Sequence, residues 1–157
     1  MPKIPVRIST LLTIILCVVL FAAMILGAFY VPGVVANIVE MSAEARATQI
    51  IENGGKVALT VFFYSCLAIV MVADILIFAL ILRVRAGGVF TDKTVALIRG
   101  IAWCCFLLSA ALFGIGLYLK SAFVGAFAAA FLGLCIRVVK NVIEQANIIK
   151  SENDLTV

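Results

Sequence analysis

The segment Arg83-Val-Arg-Ala-Gly-Gly-Val-Phe-Thr-Asp-Lys-Thr-Val-Ala-Leu-Ile-Arg99 decides the fold, because it is a basic connector between two long apolar regions. Its cations are Arg83, Arg85, Lys93 and Arg99. Loops rich in lysine and arginine stay on the cytoplasmic side of a membrane. The sequence therefore predicts a cytoplasmic loop at 83–96, one membrane hairpin before it and a second after it.

The composition places the chain in the membrane class. Its 157 residues are 66% hydrophobic and 13% charged, whereas soluble domains average about 45–50% apolar and about 25% charged residues. A chain of this length forms one domain, so we expect an all-α integral membrane four-helix bundle made of two antiparallel hairpins. The net charge of +4 comes from cations at the ends of the apolar runs. This placement orients the protein in a membrane, and we do not expect direct nucleic acid binding.

Four membrane spans are predicted, at about 8–31, 57–82, 97–119 and 122–141. Each has enough residues to cross a hydrocarbon core of about 30 Å, since a helix rises about 1.5 Å per residue. Pro32-Gly33 is expected to stop the first helix, and an outer loop follows at 34–56. The turn at Lys120-Ser121 is so short that the third and fourth spans must form an antiparallel hairpin.

The distribution of cations predicts that both termini lie in the cytoplasm. Only Arg46, Lys56 and Lys120 fall in segments assigned to the outer side. The remaining lysines and arginines fall at the opposite span ends. This asymmetry fixes the orientation of all four spans.

Asp74 is the one ionisable residue inside the second span. It lies about 12 Å below the inner interface, given the helical rise per residue. A carboxyl group at that depth is costly unless it has a partner, and such groups often mark function. Two interpretations remain open here: a structural ion pair with Arg99 or Arg137, or a place on a proton or ion pathway.

Small residues recur at helical spacing on the last two spans. Ala110 and Gly114 form such a pair on the third span, and Gly125, Ala129 and Gly133 repeat the spacing on the fourth. Small residues let helix backbones approach closely in lipid. We expect these two stripes to face each other, as helix packing rather than as a channel lining.

The fourth helix is predicted to continue past the membrane as an amphipathic extension at 136–150. This segment has an apolar stripe and a polar stripe on opposite faces, and successive residues within each stripe are three or four positions apart. The apolar stripe is Cys135, Val139, Val142, Ala146 and Ile149, and the polar stripe is Arg137, Lys140, Glu144 and Asn147. The apolar stripe can pack on the bundle, lie on lipid, or dock a partner or a second copy. A polar, acidic tail follows at 151–157.

Enzymatic chemistry is not expected. The chain has no histidine, and its five cysteines all lie within the predicted spans at spacings that match no metal or redox pattern. No nucleophile with a base and no glycine-rich phosphate loop is recognisable. We therefore expect no catalytic residues, no metal site and no cofactor.

Two motifs resemble a known family. The ending Ile149-Lys-Ser-Glu-Asn-Asp-Leu-Thr-Val157 and the central Gly88-Val-Phe-Thr91 are similar to landmarks of the domain of unknown function 2975 family. Its members are small bacterial membrane proteins with four spans and no established catalytic residues, cofactors or substrates. The resemblance implies a multi-pass protein of the bacterial cytoplasmic (inner) membrane.

The resemblance also implies a partner, because many members are encoded beside a very small helix-turn-helix regulator of the Cro type. The chain would then be a membrane-bound partner or sensor for that regulator. The contacts that we expect on its cytoplasmic face are Arg83, Arg85, Phe90, Asn147, Glu152, Asp154 and Leu155. The alternative is an oligomeric small pore, transporter or immunity-type protein that uses Asp74.

Overall fold

The structure, a computed structural model, describes residues 6–44, 54–86 and 91–154, and these ranges contain four helices and no strand. The helices are α1 (Val6–Glu44), α2 (Gly54–Arg85), α3 (Asp92–Gly116) and α4 (Ala122–Asp154). All four are long and apolar enough to cross a membrane. The predicted all-α four-helix membrane bundle is confirmed.

Each helix packs on the next one in the chain, and the largest interface joins α3 to α4. Pairs of contacting residues run in opposite directions along neighbouring helices. On α2 and α3, for example, Phe62 lies against Gly114 and Leu76 against Gly100. Neighbouring helices are therefore antiparallel, and the start of α3 and the end of α4 lie at the same end of the bundle as the end of α2. We call this the basic end; its exposed or half-buried cations are Arg83, Arg85, Lys93, Arg99, Arg137 and Lys140.

α1 continues through Pro32 to Glu44, so the prediction that the first helix stops at Pro32-Gly33 is wrong. Proline has no N–H to donate to the carbonyl four residues earlier, which here is that of Ala28. The Tyr64 hydroxyl of α2 donates to this carbonyl oxygen over 3.3 Å. A backbone carbonyl freed by proline in a membrane helix needs such a replacement donor, and α2 supplies one.

Packing on both sides of Pro32 also holds α1 helical. Val31 and Val35 are buried with Leu59 of α2 and Ile115 of α3 in a common core cluster. The helical part of the predicted loop 34–56 therefore belongs partly to α1 and partly to α2. Residues 45–53 of that loop lie outside the described ranges.

The start of α3 has the cap that the sequence suggests. The extended backbone of Thr91 has φ −136° and ψ 148°, and its hydroxyl accepts from the Thr94 amide over 3.4 Å. Asp92 lies in the first turn, where a carboxylate complements the positive end of the helix dipole. Because α2 runs to Arg85 and α3 begins at Asp92, most of the predicted loop 83–96 is helical.

The second hairpin has the short turn that was expected, between Gly116 and Ala122. The Leu117 amide bonds to the Gly114 carbonyl at 3.3 Å and so begins the turn. From Ala122, α4 runs unbroken to Asp154. The predicted extension 136–150 and the first part of the tail 151–157 thus form one helix with the fourth span.

Candidate functional site

Polar side chains join α3 to α4 at the basic end. Arg99 Nη2 lies 3.5 Å from Glu144 Oε1, and the Lys140 ammonium also pairs with Glu144. Asn147 Nδ2 donates to Asp92 Oδ1 over 3.0 Å. The polar stripe of the α4 extension therefore lies on the side of α4 that faces α3.

The apolar stripe of the extension consequently faces away from the bundle. Val139, Val142 and Ile149 are each more than half exposed, and so are Val138 and Ile148. Of the three surfaces that the sequence left open for this stripe, packing on the protein's own bundle is therefore wrong. The exposed stripe is thus left for contact with lipid, a partner or a second copy.

The end of α4 projects beyond α3. Asn147 lies opposite Asp92, the first residue of α3, and α4 continues to Asp154. The seven residues 148–154 extend by roughly 10 Å at the helical rise per residue. Ile148 and Ile149 lie at the base of this projection.

A cavity of about 90 Å³ lies between α3 and α4 beside these polar contacts. Its lining residues are Arg99, Ala102, Trp103, Phe106, Arg137 and Lys140. The Lys140 side chain is only 14% exposed, whereas Arg137 is exposed and forms no ion pair with any residue that the structure describes. The rings of Trp103 and Phe106 meet edge to face with centroids 6.2 Å apart.

Asp74 lies elsewhere, on the face of α2 that packs on α1. It is 8% exposed and borders a cavity of about 210 Å³ whose other lining residues are Cys17, Val18, Phe21, Ile75 and Phe78. The Cys17 thiol is the polar neighbour of its carboxyl group. The site is thus a single carboxyl group in apolar surroundings between α1 and α2.

The predicted ion pair of Asp74 with Arg99 or Arg137 is wrong. Within the described ranges Asp74 forms no ion pair, and Arg99 pairs with Glu144 instead. The reason is helical phase: Leu76 of α2 contacts α3 at Gly100, and a residue two positions earlier points about 160° away. Asp74 therefore cannot face the helices that hold the two arginines.

The small-residue stripes do not face each other, contrary to the prediction. Gly114 packs against the Phe62 ring of α2, and Ala110 is exposed. α3 lies between α2 and α4, and the glycines on one face of α3 pack against side chains of α2. Gly100, which contacts Leu76, belongs to that same face.

On α4, by contrast, the small residues do lie toward α3. Gly125 contacts Leu112, Gly133 lies against Cys105 and Phe106, and Ala129 is buried. Ser109 of α3 adds an interhelical hydrogen bond, since its hydroxyl donates to the Ala126 carbonyl over 2.8 Å. The hairpin is therefore closed by small residues on one helix and by larger side chains on the other.

The residues predicted to contact a partner are only partly described. Arg83 and Arg85 are exposed at the end of α2, Asn147 is bonded to Asp92, and Glu152 is exposed. Phe90 and Leu155 lie outside the described ranges, as does the side chain of Asp154.

Sequence reasoning missed the group formed by Glu144, Lys140, Arg99 and Trp103. The signal available was the spacing of four residues between Lys140 and Glu144, which places oppositely charged side chains on one helix face. That spacing could not indicate that α3 is the helix that these side chains meet, because Arg99 and Trp103 are distant in sequence.

Comparison with known proteins identifies a family. No curated protein and no solved structure matches the chain significantly. A family model described as "Protein of unknown function (DUF2975)" matches residues 5–157, which is essentially the whole chain. The chain therefore belongs to the DUF2975 family.

Proposed function

We propose that this protein is a membrane-bound partner of a small helix-turn-helix transcription regulator in the bacterial cytoplasmic membrane. The observation that supports this best is the projecting end of α4, where Ile148 and Ile149 are exposed beyond the start of α3. Arg83 and Arg85 are exposed at the same end of the bundle. A regulator held there would be unavailable to DNA while it is bound.

The orientation that this proposal requires follows from charge. Arg83, Arg85 and Lys93 are exposed at the basic end, and positive charge near span ends is retained in the cytoplasm. The basic end and both termini would then face the compartment that contains DNA. The opposite end, near Glu40 and the 117–121 turn, would face outward.

The chemistry of the projection suits a small DNA-binding protein. Exposed isoleucines provide apolar contact area, which supplies most of the affinity when a helix face docks in a groove. The exposed carboxylate of Glu152 would complement the basic surface that a DNA-binding domain presents to phosphates. Occupation of that basic surface would compete directly with DNA.

An affinity pull-down from native membranes tests the proposal, with the tag inserted in the segment 45–53 so that both termini stay free. We expect the full chain to recover a small helix-turn-helix protein. The double variant Ile148→Ser/Ile149→Ser should recover at least about tenfold less, since burying each isoleucine contributes about 1.5–3 kcal/mol and a tenfold change in affinity corresponds to about 1.4 kcal/mol. The matched control is Val124→Ser, which changes a side chain that is 74% exposed at the other end of α4.

Two results would overturn the proposal. One is the recovery of no regulator with the unaltered chain. The other is equal recovery with the double variant and with Val124→Ser, because the projection would then make no contact.

An oligomeric pore, transporter or immunity-type protein is the second candidate. The observation in its favour is that Asp74 is buried and forms no ion pair with a cation in the described parts of the chain. Asp74 faces α1 and an apolar cavity, so a conducting path would need a second copy of the chain. Proton flux into liposomes containing the purified protein should then fall to background in Asp74→Asn. Background flux in both the unaltered chain and the variant would eliminate this candidate.

A further inference from the structure

We propose that the cavity between α3 and α4 at the basic end binds a phosphate oxyanion, presented by the head group of an anionic phospholipid. Three cationic side chains, Arg99, Arg137 and Lys140, line this one cavity of about 90 Å³. A cavity of about 10–15 Å³ already admits a water molecule, so an oxyanion of several heavy atoms fits. This inference goes beyond the proposed regulator contact and uses different side chains.

The charge balance of the cavity favours an anion. Glu144 is the carboxylate that pairs with Arg99 and Lys140, and one carboxylate cannot neutralise three cations. Arg137 forms no ion pair with any residue in the described ranges. Asp92, the acidic residue of α3, is hydrogen-bonded to Asn147 instead. A net positive charge therefore remains at the cavity, and Arg137 is the cation there that has no ion pair among the described residues.

The surroundings identify the source of the anion as a lipid. Trp103 is 60% exposed at the cavity, and an exposed tryptophan beside basic residues is typical of the membrane interface, where head groups lie. Neighbouring side chains on the face of α4 that points away from the bundle, such as Val138 and Val139, are exposed and apolar, as expected for contact with acyl chains.

The guanidinium of Arg137 suits the chemistry of a phosphodiester. Its planar fork can donate two parallel hydrogen bonds to two phosphate oxygens, whereas the Lys140 ammonium acts as a point charge. Arg99 can share its donors between Glu144 and the ligand. Free inorganic phosphate offers the same oxygens, so the test must separate the two sources.

Fluorescence of Trp103 provides the measurement, because it is the single tryptophan of the chain and lines the cavity. The full-length protein in neutral detergent is titrated with phosphatidylglycerol, with phosphatidylcholine or with inorganic phosphate. We expect a saturable change with phosphatidylglycerol, at least about tenfold weaker binding of phosphatidylcholine, and no saturation with inorganic phosphate. A tenfold difference corresponds to the loss of one charge-assisted interaction.

Variants then assign the binding to the cavity. Arg137→Gln should weaken phosphatidylglycerol binding by about tenfold, and Arg137→Lys should retain part of the affinity because it keeps the charge without the fork. Arg85→Gln is the matched control: it removes an exposed cation at the same end of the bundle that does not line the cavity. It should change the affinity by less than about twofold, as expected for an exposed charge outside the site. Native mass spectrometry of bound lipid supplies a readout that does not depend on Trp103.

Several results would overturn the proposal. Equal weakening by Arg137→Gln and Arg85→Gln would show attraction to overall positive charge and no specific site. Equal responses to phosphatidylglycerol and phosphatidylcholine would rule out recognition of net anionic charge. Saturation by inorganic phosphate without a response to phosphatidylglycerol would assign the cavity to a soluble anion.

Discussion

Gly114→Val is expected to lower the free energy of unfolding by about 2–3 kcal/mol, because overpacking a tight contact costs about 1–3 kcal/mol and sometimes more. A Cβ atom at position 114 would lie 2.6 Å from two atoms of the Phe62 ring, so either this ring or the spacing between α2 and α3 would have to shift. Unfolding of the purified protein in mixed micelles with increasing dodecyl sulfate, followed by circular dichroism, gives the value.

Gly27→Val is the matched control for this experiment, since a Cβ atom at Gly27 would have no neighbour within 4 Å. We expect it to change the stability by less than about 0.5 kcal/mol, as for substitutions away from packed sites. In a Phe62→Leu background, Gly114→Val should cost less than in the unaltered chain, because the two residues are in contact. Equal costs for Gly114→Val and Gly27→Val would show that α2 and α3 do not pack as described.

Tyr64→Phe is expected to lower the free energy of unfolding by about 1–3 kcal/mol, the range for a polar group left without its partner. The variant removes the hydroxyl that donates to the Ala28 carbonyl over 3.3 Å. That carbonyl has no helical donor, because residue 32 is proline. In lipid, no water replaces the lost donor.

A double-mutant cycle isolates this effect. Pro32→Ala restores an N–H four residues after Ala28, which can close the normal helical hydrogen bond. In the Pro32→Ala background, Tyr64→Phe should therefore cost less than about 0.5 kcal/mol, as for a substitution that breaks no needed bond. A full cost of Tyr64→Phe in both backgrounds would mean that the hydroxyl stabilises the protein in another way.

Much of this fold could be predicted from the sequence, because a membrane imposes simple rules on chain segments. Long apolar runs must form helices there, since the bilayer cannot satisfy exposed backbone groups. The same rule explains the failure at Pro32. Proline ends helices in water, but in α1 the apolar sequence continues past it and Tyr64 satisfies the freed carbonyl.

Local features at the ends of the helices could also be predicted from the sequence. Thr91 precedes an acidic first turn and accepts a hydrogen bond at the start of α3, as its position suggested. The short turn after Gly116 follows equally from local sequence. Signals of this kind depend on a few consecutive residues and need no knowledge of which helices are neighbours.

Contacts between helices were harder to predict, because spacing along one helix fixes a face but not what that face meets. Gly114 has the small-residue spacing expected for close packing, yet its neighbour is Phe62 of α2 rather than α4. Asp74 likewise faces Cys17 of α1 rather than an arginine. On the polar stripe of α4, Asn147 bonds to Asp92 of α3 and Glu144 pairs with Arg99 of α3, which the spacing along α4 alone did not indicate.

The proposed function rests on the basic end facing the cytoplasm, and cysteine labelling in intact cells tests this most directly. The five native cysteines are first replaced by alanine, and a single cysteine is then placed at Lys93 or at Lys120, which are both exposed and lie at opposite ends of α3 and its following turn. The outer envelope of the cells is permeabilised while the cytoplasmic membrane is left intact. We predict that a membrane-impermeant maleimide then labels Lys120→Cys, and that it labels Lys93→Cys only after the cytoplasmic membrane is opened. Labelling of Lys93→Cys and protection of Lys120→Cys in intact cells would contradict the account, because the projecting end of α4 would then face away from any transcription regulator.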